Sequence, residues 1–223
     1  MSKKTKETPI LADEALGKSE EFIIKHKTPI IIAVSVIILA VAGIISYNNF
    51  VLEPKEKEAD KALVSASQYY VDGKYTESLD GDGVNLGTKA ICEEYSGTKA
   101  GNLANMYAGL ALAKQEKYEE AIAYLEEFDG SDKLVAPKVK HALGNCYAHT
   151  GNNAKAIDLL LDAAEEAGNE AVTPFCWRDA AAMYEQEGKA AEAIELYNKI
   201  KAEYPTCILV TNGEIDRQLN SVK

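Results

Sequence analysis

Three stretches of this chain repeat one another, and the spacing between them limits the possible folds more than any other feature. An Ala-Ile pair recurs at Ala121-Ile122, Ala156-Ile157 and Ala193-Ile194, at intervals of 35 and 37 residues. Each pair follows a similar lead-in. Met106-Tyr107-Ala108-Gly109 precedes the first, Leu143-Gly144-Asn145-Cys146-Tyr147 with Gly151 the second, and Ala180-Ala181-Ala182-Met183-Tyr184 with Gly188 the third. Apolar residues step by three and four, Gly with polar neighbours marks the turns, and no stretch sustains a period of two. Self-similarity at such a period describes one supersecondary unit stacked on copies of itself, since a lone unit cannot bury its own apolar face. A weaker copy runs from Ala66-Ser67-Gln68-Tyr69 through Gly73-Lys74-Tyr75 to Ser78-Leu79, offset by 43 residues from the next. The excess fits an insertion at Asp80-Gly81-Asp82-Gly83. The expected fold is all-α, about four stacked helix pairs.

The residue types inside the repeat have a physical purpose. A small residue on the first helix of each pair (Ala66, Gly109, Gly144, Ala181) lets the second helix approach closely, and a small residue there (Ala121, Ala156, Ala193) receives it. Tyr69, Tyr147 and Tyr184, three positions further on, are expected to fill the wedge between the helices; Leu112 stands in that place in the second unit. After Pro205, Asn212 to Val222 is expected to form a closing helix, because the last unit of an array needs a polar cap.

A second feature stands apart from the repeats. From Thr28 to Leu52 there are 25 residues without a charge. At about 1.5 Å per residue that helix would cover about 37 Å, enough to cross a hydrocarbon core of about 30 Å. Thr28 and Pro29 suit a helix start, as a hydroxyl cap and a first-turn proline, and Tyr47 and Phe50 suit the far interface. Ala40-Val41-Ala42 resembles a signal-peptide cleavage site, but the polar segment ahead of the apolar run is long for a signal peptide and the run continues to Leu52. A retained transmembrane helix is therefore expected. Lys25 and Lys27 on its near side favour an N-terminus in the cytoplasm and a repeat domain outside. The expected division is a tail over 1–27, a transmembrane helix over 28–52, a charged linker or helix start over 53–61, repeats over 62–206 and a capping helix over 207–223.

Charge narrows the partners. Residues 53–223 hold 18 basic and 30 acidic side chains, a net of −12. A domain of that sign lacks the basic face that nucleic acid requires and is repelled from anionic lipid surfaces. Proteins are the expected partners, with no small-molecule substrate.

No catalytic, cofactor or metal site is expected. Cys92, Cys146, Cys176 and Cys207 form no C-x-x-C pair or zinc-type spacing and read as small buried helix residues. A disulfide is permitted outside the cytoplasm, and the sequence pairs none of them. On one helix His141, Cys146 and His149 point in different directions. Asp80 to Gly87 fails the G-x-G-x-x-G spacing by one residue and, as a calcium loop, has Val84 where an oxygen ligand belongs; it reads as a polar inserted turn. Acidic pairs such as Glu119-Glu120 and Glu126-Glu127 are expected on solvated helix faces.

The last unit resembles the tetratricopeptide repeat, whose pattern it meets with Trp177, Ala181, Tyr184, Gly188, Ala193, Tyr197 and Pro205. The resemblance covers about residues 60–206 and implies a tetratricopeptide-like α-α superhelix of about four pairs. It also implies a concave wall built from the first helix of each pair. On this chain the carried-over positions are Leu103, Met106 and Leu110, then Lys138, His141 and Asn145, then Phe175, Arg178 and Ala182. The lysine-and-asparagine clamp for C-terminal carboxylates is not matched, since His141 stands where lysine is expected. Over nearly the whole chain the architecture also resembles the YfgM-like ancillary subunits of the SecYEG translocon. That resemblance implies a single-pass protein of the bacterial inner membrane whose periplasmic repeats work with translocon subunits, chaperones or exported clients. The alternative reading is a structural or assembly factor of the cell envelope that associates with itself.

Overall fold

The computed structural model describes residues 24–222, and the chain divides into two units at Pro54 and Lys55. The first unit holds helix α1 (Lys27–Tyr47) and a π-helical turn (Asn48–Leu52). α1 is long and apolar enough to cross a membrane, and none of its residues is buried. It starts one residue earlier than the sequence suggests. Ile30 N–H donates to the carbonyl of His26 at 3.0 Å, so His26 is the N-cap and Thr28 caps nothing, while Pro29 falls in the first turn, where its missing N–H is harmless.

The second unit is a stack of helix pairs: α2 (Glu53–Val71) with α3 (Tyr75–Asp80), α5 (Lys99–Lys114) with α6 (Tyr118–Glu126), α7 (Ala136–His149) with α8 (Asn153–Ala167), and α9 (Thr173–Gln186) with α10 (Ala190–Glu203). A short α4 (Thr88–Glu94) follows the first pair, and α11 (Ile208–Thr211) and α12 (Glu214–Ser221) close the array. No strand occurs among the described residues.

Every pair turns the chain in the same way. At the end of the first helix, the N–H of Lys74, Lys117, Asn152 and Lys189 reaches back five residues to the carbonyl of Tyr69, Leu112, Tyr147 and Tyr184, at 2.8–3.0 Å. The residue before each reaches back only three residues, at 3.0–3.1 Å, to the carbonyl of Tyr70, Ala113, Ala148 and Glu185. This two-bond reversal needs a left-handed residue between the helices, which glycine adopts without strain. Gly73, Gly151 and Gly188 supply it at φ 75°, 82° and 74°, but the second unit uses Glu116 at φ 61°.

Within a pair the helices touch at the predicted small residues. A Cβ added at Gly109 would lie 2.5 Å from Leu125 Cγ and 3.1 Å from the carbonyl of Ala121. At Gly144 the corresponding distances, to Leu160 Cγ and Ala156 O, are 3.0 and 3.3 Å. The second helix therefore packs almost backbone to backbone and drops its leucine onto the glycine. In the first pair Ser78 takes the alanine position, and its buried hydroxyl is satisfied by the carbonyl of Ala66 at 2.9 Å.

The insertion lies inside the second helix of the first pair, splitting it into α3 and α4. Asp82 organises the intervening loop: its carboxylate accepts from Val84 N–H (2.8 Å), Asn85 N–H (2.6 Å), Asn85 Nδ2 (2.9 Å) and the Tyr69 hydroxyl (2.6 Å). These donors, the Asn85 amide first, hold the Asp82 carboxyl far below the usual carboxylate range. Tyr69 thus pins a loop instead of filling a wedge. Tyr147, by contrast, packs against the middle core, and its hydroxyl donates to Glu126 at 2.5 Å, under Lys155 Nζ at 4.1 Å from its ring.

Residues 53–61, read from sequence as a charged linker or helix start, form the first turns of α2. Glu56 there accepts from the N–H groups of Lys99 and Ala100 at 2.9 and 3.0 Å, capping α5 from across the fold. Cys146, Cys176 and Cys207 are buried, Cys92 is half-buried, and all four are free thiols. Burial pushes the Cys92 and Cys176 thiols up to about 12, which leaves them unreactive near neutrality.

Three substitutions test the turn and the packing. Glu116→Gly removes a left-handed strain at an exposed side chain, so it should stabilise the chain by about 0.5–1 kcal/mol in urea unfolding of the detergent-solubilised protein. An unchanged midpoint would show that the reversal carries no strain. Gly109→Ala should destabilise by about 1–3 kcal/mol by driving Leu125 off its seat. Gly144→Ala, with a softer contact and the better helix former, should stay within about 0.5 kcal/mol. Equal costs at both sites would contradict the difference in helix separation.

Candidate binding groove

The first helices of the third and fourth pairs, α7 and α9, are neighbours in the stack. α7 begins on a loop cap: Asp132 accepts from Leu134 and Val135 N–H at 2.8 and 2.6 Å, with Pro137 following in the first turn. α9 starts in the same way, with Asn169 accepting from Ala171 and Val172 N–H and Pro174 in its first turn. These caps fix where each helix begins and therefore which side chains meet between them.

What meets there is a carboxylate and its donors. Asp179, on α9, accepts from His141 Nε2 at 2.6 Å and from Asn145 Nδ2 at 3.3 Å, both on α7. Arg178 closes its other oxygen through Nε at 2.8 Å and its terminal nitrogen at 2.7 Å, then reaches Glu214 on α12 at 3.4 Å. Arg178 also lies 5.6 Å from the Phe175 ring. Burial alone would raise the Asp179 carboxyl; the His141 hydrogen bond and the Arg178 guanidinium outweigh it and hold the group below its ordinary value. An ionised carboxylate only accepts, so His141 Nε2 carries a proton and Asn145 turns its NH2 toward Asp179.

Beside this cluster lies an open depression of about 320 Å³. Asn145, Ala148 and His149 line it from α7, and Asp179, Met183, Gln186 and the expected wall residue Ala182 from α9. His149 is held flat against Tyr118, ring centroids 4.2 Å apart, which fixes that side of the opening.

The expected wall residues divide. His141, Asn145 and Arg178 come together around Asp179. Lys138 is exposed on α7, and Phe175 is half-buried against the last core. Leu110 is half-buried against the middle core and Leu103 is 38% exposed. Met106 is not a wall residue: at 9% exposed it belongs to the core between the second and third pairs. Three-residue spacing from Gly109 places it on the helix side that the next unit covers. Asp179, Met183 and Gln186 were missed. Asp179 had a legible signal: with Arg178 it stands between the apolar pairs Cys176-Trp177 and Ala180-Ala181, and a carboxylate there must find partners when that helix is buried.

The comparisons agree with this architecture. The tetratricopeptide repeat family model matches residues 179–206, the segment carrying the end of α9 and all of α10. No curated protein matches the chain. Among solved structures it is similar to a Podosopora anserina chain of nearly identical TPR-like repeats, assigned as a kinesin light chain. That pair is 17% identical with a TM-score of 0.58, covering 74% of this chain and 88% of the other. A point variant of the same protein gives 14% identity and a TM-score of 0.56, covering 75% and 95%. The fold of the second unit is an all-α tetratricopeptide-like superhelix.

Asp179 supplies a pH test. Its folded carboxyl lies below the free value, so its contribution to stability is complete above the free carboxylate pKa and drains away as pH falls through the folded one. Asp179→Asn should cost about 1.5–3 kcal/mol at pH 7. That gap to the parent should close as urea unfolding is repeated at successively lower pH below about 4. A gap that stays constant down the series would mean that the ionised form of Asp179 contributes nothing.

Proposed function

We propose that this chain is a membrane-tethered tetratricopeptide scaffold that holds other polypeptides. It would work at the bacterial inner membrane beside the Sec translocon, on newly exported proteins and the chaperones that meet them. The observation that carries this reading is the depression between α7 and α9, a site with amide and apolar walls on the face that such arrays use for binding. Leu110, Lys138, His141, Asn145, Phe175 and Arg178 extend or support that face.

The tether rests on α1. A helix of this length with isoleucine, valine and leucine exposed along it suits a bilayer, where its backbone bonds are internal and its side chains meet lipid. In this reading residues 1–27 are a cytoplasmic tail, 28–52 span the membrane, and the repeats over 62–206 with their cap over 207–223 lie in the periplasm. Lys25 and Lys27 beside the span support that orientation. The net −12 of residues 53–223 favours protein partners over lipid or nucleic acid.

A photo-crosslinking residue at Asn145 in the full chain, in intact membranes, should trap another polypeptide. The same residue at Glu195, exposed on the opposite helix of the last pair, should trap little. Equal trapping from both positions would remove the groove from the mechanism, and adducts only between copies of this chain would favour the self-associating assembly factor. A reporter fused after Lys223 that is active only in the cytoplasm would overturn the orientation.

A further inference from the structure

The depression between α7 and α9 is selective in its hydrogen bonding, and the selectivity follows from Asp179. Because that carboxylate accepts the Asn145 NH2, the Asn145 carbonyl oxygen is turned away from it, with no donor upon it among the described residues. Reversing the amide would set its oxygen 3.3 Å from a carboxylate oxygen, acceptor against acceptor, while the His141 Nε2 proton, also 3.3 Å away, is already directed at Asp179 at 2.6 Å. The groove therefore offers a fixed acceptor at Asn145 and an adaptable amide at Gln186, which is exposed.

Charge points the same way. The cluster behind the depression sets two carboxylates, Asp179 and Glu214, against one guanidinium, Arg178, a formal −1 with histidine counted neutral. The surrounding domain is also strongly negative. Met183 and Ala148 give the depression an apolar flank suited to a methylene stem. We propose that this depression takes a lysine or arginine side chain from an extended segment of a partner polypeptide. The stem lies along Met183 and Ala148, and the cationic head donates to Asn145 Oδ1 and Gln186 Oε1. The proposal rests on the peptide-binding reading above and names the chemistry of its occupant.

The test uses the full chain in detergent and fluorescently labelled extended peptides of leucine, serine and glycine that differ at one central residue: lysine, norleucine or glutamate. Fluorescence anisotropy should rank lysine first, at least about tenfold tighter than glutamate, a difference of about 1.4 kcal/mol. Added salt should narrow the gap. Gln186→Lys, at an exposed position, should abolish the lysine preference without changing the thermal midpoint. Norleucine or glutamate binding as tightly as lysine would overturn the basic preference and leave the peptide groove standing. Binding of none of the three peptides would overturn both.

Discussion

Each unit of this array depends on one backbone reversal, made the same way four times. Just past the first helix two successive N–H groups fold back onto its carbonyls, and the first of those two residues must be left-handed. That geometry sets the angle at which the second helix returns. The angle brings the glycine or alanine of one helix against the backbone of the other, close enough for a leucine to seat on Gly109 or Gly144. Buried area follows from this contact: with the helices close, the apolar stripes of each pair merge into three consecutive cores. Where Glu116 replaces the glycine, the reversal survives because the same two bonds form, now at the expense of side-chain strain.

The first pair shows how far the scheme stretches. Its second helix is cut by a loop, yet α4 continues the packing, with Ile91 wholly buried beside Leu63 and Ala104. The loop survives through Asp82, which collects two backbone N–H groups, an asparagine amide and the Tyr69 hydroxyl. Glu56 makes a comparable long-range tie, so that the charged start of α2 completes the N-terminus of α5. Residues that read as solvated punctuation thus act as caps.

The groove arises because α7, α9 and α12 are stacked with their polar residues at matching heights. Asp179 draws on two residues of α7, and its neighbour Arg178 reaches α12, so the third pair, the fourth pair and the cap are joined by one hydrogen-bonded chain. A buried carboxylate would be costly without donors; with them it fixes the direction of every amide around it. The polarity of the adjacent depression is a consequence of that order.

How much of this was legible depends on whether the cause is local. The helix pairs, their glycine turns, the close contacts at Gly109 and Gly144 and the exposed apolar helix α1 follow from residue types at fixed intervals, which sequence displays directly. The inserted turn was also visible, as an excess in the repeat spacing. The groove was only half visible. Positions on α7 and α9 could be placed on a face, but Met106 went into the core because the next unit covers it, and Asp179 was passed over. Which side chains converge between helices 34 to 38 residues apart depends on the rise and rotation from one unit to the next. Periodicity leaves that displacement undetermined; packing decides it.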